Sequence, residues 1–160
     1  MQIVTGIITI SDRASAGEYK DLGGPALKEA AQKAGWQVLA EAVVPDDVSH
    51  IQEAIRSFSQ QGCGLILTTG GTGAGARDVT PEAIRAIMRV ELPGFGEVMR
   101  AESMKITPNS ILSRSLAAIV DLSLVIALPG KPSGALECLG FVQGAIPHGV
   151  ALAQRVPTSC

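Results

Sequence analysis

Three apolar runs alternate with two amphipathic stretches over the first 68 residues, and that alternation leaves few folds open. Residues 3–10, IVTGIITI, are rich in Ile, Val and Thr and alternate little, as expected of a strand buried on both faces. Leu27, Ala30, Ala31 and Ala34 recur at helical spacing, which predicts a helix with Gly35 as its C-cap. Residues 36–44 predict a second strand that stops at Pro45. Ile51, Ala54, Ile55 and Phe58 form the stripe of a second helix, capped by Asp46 or Asp47 and ended by Gly62. Residues 63–68 predict a third strand. A β-α-β-α-β order prescribes parallel strands, right-handed crossovers and helices on the faces of the sheet.

Between the first strand and first helix, residues 11–25 read as a polar, glycine-bearing loop. Residues 81–89 predict a short helix facing inward through Ile84, Ile87 and Met88, with Thr80 as N-cap, Pro81 at N1 and Glu82 in the first turn. ELPGFGE breaks that helix, another follows over 95–105, and Pro108 closes it. SILSRS reads as a turn or short helical element. Residues 117–120 and 124–128 predict two strands close enough for a hairpin, so one strand runs antiparallel and the sheet is mixed. Terminal helices are expected over 133–142 and 147–154, in one α/β domain spanning residues 1–160.

Charged residues make up 18% of the chain, against about 25% in an average soluble domain, so part of the surface is expected to be covered by other subunits. The net charge of −2 and a total of five aromatics argue against a nucleic-acid partner. Cys63, Cys138 and Cys160 lack paired spacing and fit reduced thiols in a cytoplasmic protein. MQIVTGIITI has no basic leader, and the apolar run 116–128, broken by Asp121, is shorter than the about 20 residues a membrane span needs. No membrane partner is therefore expected. His50 and His148 have no partner at metal-ligand spacing and receive no role.

Chemistry collects where the strands end. LILTTGGTGAGARDVTP, residues 65–81, carries Gly70, Gly71, Gly73 and Gly75 between a strand and a helix. Each glycine costs backbone entropy, which fits backbone N–H groups approaching a phosphate more closely than a spare tight turn would require. Open parallel sheets bind ligands beyond the carboxyl ends of their strands. Ser11-Asp12-Arg13, Pro45-Asp46-Asp47, Thr69-Gly70-Gly71-Thr72-Gly73 and Pro129-Gly130-Lys131-Pro132 all fall at such ends. Asp12, Asp46 and Asp78 would repel phosphate unless a cation bridges them, and Mg²⁺ typically takes one or two carboxylates plus phosphate oxygens. Asp46 and Asp78 are the candidate ligands; a helix cap and an Asx turn are their alternative readings. Arg13, Arg77, Arg114 and Lys131 are candidate phosphate-holding cations, and Glu97 a candidate substrate contact or helix N-terminal acid. No Gly-Lys-Ser/Thr exists for a P-loop, and the forced fingerprint Gly71-x-Gly73-x-x-Ala76 follows the wrong strand for a dinucleotide fold.

SDR, PD, TTGGTG, RDVTP, PGFGE, ILSR and LPGKP occur in that order, and the chain thereby resembles the molybdopterin adenylyltransferase family of molybdenum cofactor biosynthesis. The likeness covers residues 3 to about 150, with TTGGTG followed by RDVTP its most specific part. It implies a three-layer α/β sandwich, a homotrimer, and Mg²⁺-dependent transfer of AMP from ATP to the terminal phosphate of molybdopterin. It also implies a molybdate-inserting partner downstream. By motif, Asp46 and Asp78 match the family's essential aspartates. Ser11, Asp12, Arg13, Thr69, Gly70, Gly71, Thr72, Gly73, Glu97, Gly130 and Lys131 are expected at the nucleotide and pterin pocket, with Ser113 and Arg114 on the substrate side. The alternative is a non-catalytic pterin-binding or scaffold trimer of the same fold.

Overall fold

Residues 1–158 are described in the computed structural model, and Cys160 lies outside them. Six strands form one sheet in the order β2-β1-β3-β6-β5-β4, comprising β1 (Val4–Ile10), β2 (Gln37–Val44), β3 (Leu65–Thr69), β4 (Val90–Glu91), β5 (Leu116–Val120) and β6 (Ser123–Leu128). β2, β1, β3 and β6 are mutually parallel, whereas β5 runs antiparallel to both β6 and β4. The expected hairpin is present: Val120 pairs with Ser123, and Asp121 turns the chain at φ 50, a left-handed conformation that a short polar side chain tolerates.

Strand alternation divides the interior in two. Ile7, Leu65, Leu67, Leu124 and Ile126 face one helical layer, built from α2 (Gly23–Lys33), α5 (Pro93–Met104), α6 (Pro132–Val142) and α7 (Ile146–Ala153). Ile8, Ile10, Ile66, Val125 and Ala127 face the other, built from α3 (Val48–Gln60) and α4 (Thr80–Ile87). The result is a three-layer α/β sandwich. Handedness explains the layers: β1 to β2 steps one way along the sheet and β2 to β3 steps back, so right-handed crossovers place α2 and α3 on opposite faces. The helical stretch Pro132–Ala153 is long and apolar enough to match a bilayer span by composition, with mean hydropathy 1.2. Its Ala135, Leu139, Val142, Ile146 and Val150 are nevertheless spent on the core.

Several local readings change. The segment 11–25 is not all loop: α1 (Asp12–Ser15) forms one turn, capped by the Ser11 hydroxyl oxygen accepting from Ala14 N at 3.1 Å. α2 begins at Gly23-Gly24, where side chains have little room: a Cβ on Gly23 would lie 3.1 Å from Thr69 Cγ2, and one on Gly24 2.7 Å from Thr9 Oγ1. α5 begins at Pro93, so PGFGE opens the helix instead of only breaking the preceding one. Thr80 is not an N-cap; its hydroxyl donates backwards to the Gly70 carbonyl at 2.9 Å. Residues 108–112, which overlap SILSRS, form a 3₁₀ turn, and β4 was not foreseen.

The turn after β3 is the tightest point of the fold. Gly70 and Gly71 adopt φ 107 and 66, and a Cβ on Gly70 would overlap the Ile10 carbonyl oxygen. Gly62 also has positive φ, 94, but faces open space. Gly62→Ala is therefore expected to cost about 1 kcal/mol in urea unfolding, from backbone strain alone. Gly70→Ala is expected to cost about 3 kcal/mol or more, since backbone must also shift. Equal losses at the two positions would contradict this contact.

Candidate active site

β1 and β3 are neighbours whose following helices lie on opposite faces of the sheet, the arrangement that opens a crevice beyond the strand ends. A cavity of about 260 Å³ occupies that position, lined by Ser11, Asp46, Thr69, Gly70, Gly71, Asp78 and Gly130. Tyr19, Asp21 and Gly23 complete its rim, so the N-terminus of α2 faces the same space. Thr69 is held by donating its hydroxyl to Pro129 O at 2.7 Å. Asp21 accepts from Thr9 Oγ1 and from Gly24 N, at 2.8 and 3.0 Å.

Asp46 is free to face the cavity because Asp47 caps α3, accepting from His50 N at 3.0 Å. Asp46 and Asp12 clasp each other: Asp12 N donates to Asp46 Oδ2 at 2.9 Å, and Asp46 N donates to Asp12 Oδ1 at 3.0 Å. Arg77 donates to both Asp12 oxygens, at 3.0 and 3.2 Å, and to Asp46 O at 3.1 Å. That guanidinium holds the Asp12 carboxyl below the usual range. Asp46 moves the other way. Desolvation pushes its carboxyl up, and the negative charges of Asp12 and Asp78 add to the effect. A cation in the cavity would relieve that crowding, so the donor set suits one. Among the described residues no group of three or more His, Cys, Asp or Glu stands together for a metal; of the carboxylates lining the cavity, Asp21 is engaged by Thr9 and Gly24 N, which leaves Asp46 and Asp78. The rest of a Mg²⁺ shell would come from water and phosphate oxygens.

The glycine loop seats these acids. A Cβ on Gly71 would meet Asp46 Oδ1 at 3.1 Å, and one on Gly73 or Gly75 would meet Asp78 Oδ2 at 2.8 Å. Asp78 Oδ2 accepts from Gly75 N at 2.7 Å. The sequence assigned the glycines to a ligand; the structure adds that they make room for the carboxylates.

A second cavity, about 490 Å³, lies on the other side of Gly130. Thr72, Gly73, Ser113, Gly130 and Lys131 line it, together with Arg100, Asn109 and Ser110. Gly130 belongs to both walls, with its would-be Cβ 3.3 Å from the Gly70 Cα. Arg100 donates to Ser115 O at 2.8 Å, and burial pushes the Cys138 thiol up on the same wall.

Five sequence candidates line neither cavity, two of them being Asp12 and Arg77, which pair with each other. Glu97 lines a separate depression of about 120 Å³ with Arg85 and Glu91. Arg13 lies over the Tyr19 ring at 5.2 Å, outside the lining. Arg114 is occupied by the loop itself: Nε donates to Gly73 O and Nη2 to Asp78 O, each at 2.8 Å, and Nη1 pairs with Glu82. Sequence reasoning missed Asp21 and Asn109. Asp21 carried a usable signal, since an acid two residues before Gly-Gly-Pro suits a helix start; Asn109 carried none.

Two abutting cavities, one acidic and glycine-bordered and the other larger and bordered by a lysine, can hold two anionic substrates on either side of Gly130. Residues 6–148 match the family described as a probable molybdopterin binding domain. The chain is 44% identical over 150 residues to the molybdopterin adenylyltransferase of Helicobacter pylori strain J99, covering 92% of this chain and 85% of that protein. It is 40% identical over 153 residues to the one from Escherichia coli K12, covering 91% and 78%. The molybdopterin biosynthesis enzyme MoaB from Thermus thermophilus superposes with a TM-score of 0.90 at 37% identity, covering 99% of this chain and 100% of that one. The tungsten cofactor synthesizing protein MoaB from Pyrococcus furiosus gives 0.88 at 31%, covering 96% and 98%. With similarity of that extent in both sequence and structure, the chain belongs to the molybdopterin adenylyltransferase family.

Proposed function

We propose that this protein transfers AMP from ATP to the terminal phosphate of molybdopterin, in the biosynthesis of molybdenum cofactor. The observation that carries the reading is the pair of cavities sharing Gly130. ATP occupies the smaller one, with its phosphates against Gly70 and Gly71 and near Ser11 and Thr69. Molybdopterin occupies the larger, with Lys131, Ser113, Thr72 and Gly73 around it. A terminal phosphate oxygen of molybdopterin attacks the α-phosphorus of ATP; the bond from that phosphorus to the bridging oxygen breaks, and pyrophosphate leaves with the electron pair. The nucleophile is already an anion, so the chain needs no Ser, Cys or His base.

What the residues supply is position and charge. Gly70 N is spent on Leu128 O at 3.2 Å, so the main-chain donor of the turn that would orient anionic oxygens, at no reorganisation cost during reaction, is Gly71. Asp46 and Asp78 would hold Mg²⁺, which would neutralise phosphate charge as it spreads toward the leaving group. Asp12, fixed by Arg77, keeps the Asp46 backbone and carboxylate in register. Glu97 and Arg13 have no such place and are read as peripheral. The low charge content and the apolar groove of Leu92, Phe95, Val98 and Phe141 support a homotrimer. Free, buried Cys63 and Cys138 suit a cytoplasmic protein. The product would pass to a molybdate-inserting partner.

Pyrophosphate release from ATP is expected only with molybdopterin present, and chelation of Mg²⁺ should abolish it. Asp46→Asn and Asp78→Asn should each lower kcat by about 100-fold or more without changing the oligomeric state. Full activity in both variants would remove their assigned roles; tight pterin binding without an ATP site would favour a scaffold.

Asp46 also gives a pH signature. Its folded-state value lies above the unfolded one, so protonation stabilises the fold at low pH, and that contribution is lost as pH rises through the raised value. Asp46→Asn stays neutral throughout. Without ligands, its Tm relative to the parent is expected to climb as pH increases from about 4 to about 7, and a pH-independent difference would contradict the crowding.

A further inference from the structure

We propose that Arg114 is a positioning residue: it fixes the loop that carries Asp78 and does not contact substrate phosphate. The proposal rests on the adenylyl-transfer reading. Three guanidinium nitrogens are engaged by protein, Nε by Gly73 O, Nη2 by Asp78 O and Nη1 by the Glu82 carboxylate. The backbone N of Arg114 donates to Thr72 O at 2.8 Å. One rigid planar group thus ties together the two ends of the bulge formed by residues 73–78. Within the bulge, Asp78 N donates to Gly75 O, and Gly75 N donates to Asp78 Oδ2. The bulge is closed upon itself, and Arg114 is its bracket to the body of the protein.

The two tied carbonyls belong to different cavities, Gly73 to the larger and Asp78 to the smaller. Glu82 lines neither, and Arg114 holds its carboxyl below the usual range, so it remains an ionised counterweight. Lysine separates the two possible roles. An ammonium contacts a phosphate well as a point charge, but lacks the planar fork that spans two carbonyls and a carboxylate.

The test compares the parent, Arg114→Lys, Arg114→Ala and Glu82→Gln in steady-state AMP transfer with Mg²⁺, ATP and molybdopterin. Both Arg114 variants should lose about 10- to 100-fold in kcat, with KM and directly measured Kd for molybdopterin within about twofold of the parent. Glu82→Gln should fall in the same direction by less than about tenfold. Hydrogen exchange reads the bracket without turnover: Arg114→Lys should speed exchange of the Gly75 and Asp78 amides by about tenfold or more. An inactive parent would overturn the adenylyl-transfer reading, while exchange would still judge the bracket. A lysine variant with parental kcat, molybdopterin Kd weakened about tenfold or more, or unchanged amide exchange would each overturn the positioning role.

Discussion

Gly70 approaches the Ile10 carbonyl more closely than any residue with a side chain would permit, and the geometry of the site follows from that contact. It brings the end of β3 against the end of β1 at the point where their helices diverge. Thr80 then pegs the turn to α4 through the Gly70 carbonyl, while Thr80 N donates to Gly71 O. The loop therefore leaves the sheet on a fixed path. It passes Asp46 at Gly71, borders the larger cavity at Thr72 and Gly73, and returns at Asp78. A looser turn would separate the two aspartates and merge or close the cavities beside Gly130.

The electrostatics carry a cost that the fold alone does not explain. Asp12, Asp46 and Asp78 crowd negative charge at a partly desolvated rim, and Asp46 bears the strain of it. Arg77 offsets part of this through Asp12 and Asp46 O. A chain selected only for stability would not assemble such a cluster, because burying like charges opposes folding. Phosphate chemistry with a divalent cation gives the cluster a use.

The fold was legible because its core strands are apolar on both faces and its helices carry clear stripes. Exceptions have physical causes. β4 has only two residues, too few for a period, and exists because it pairs with β5. α2 starts at Gly23-Gly24, poor helix formers chosen by the space left beside Thr9 and Thr69. At the site, strand-end placement named Ser11, Asp46, Thr69, Gly70, Gly71 and Gly130, which line one cavity together with Asp78. It could not foresee that Glu97 lines a different depression, or that Arg114 is consumed by carbonyls. Which partner satisfies a guanidinium is decided by tertiary contact, and residue spacing does not encode it. The division into two cavities was equally invisible, since it depends on how closely Gly130 and Gly70 pass.

The most direct measurement is a crystal structure with Mg²⁺, a non-hydrolysable ATP analogue and molybdopterin. The expected result has the analogue's α-phosphate at Gly70 and Gly71 with the cation between Asp46 and Asp78. The terminal phosphate of molybdopterin should point across Gly130 from the larger cavity. A nucleotide seated elsewhere, such as the apolar groove at Phe95 and Phe141, or both ligands competing for one cavity, would contradict the account.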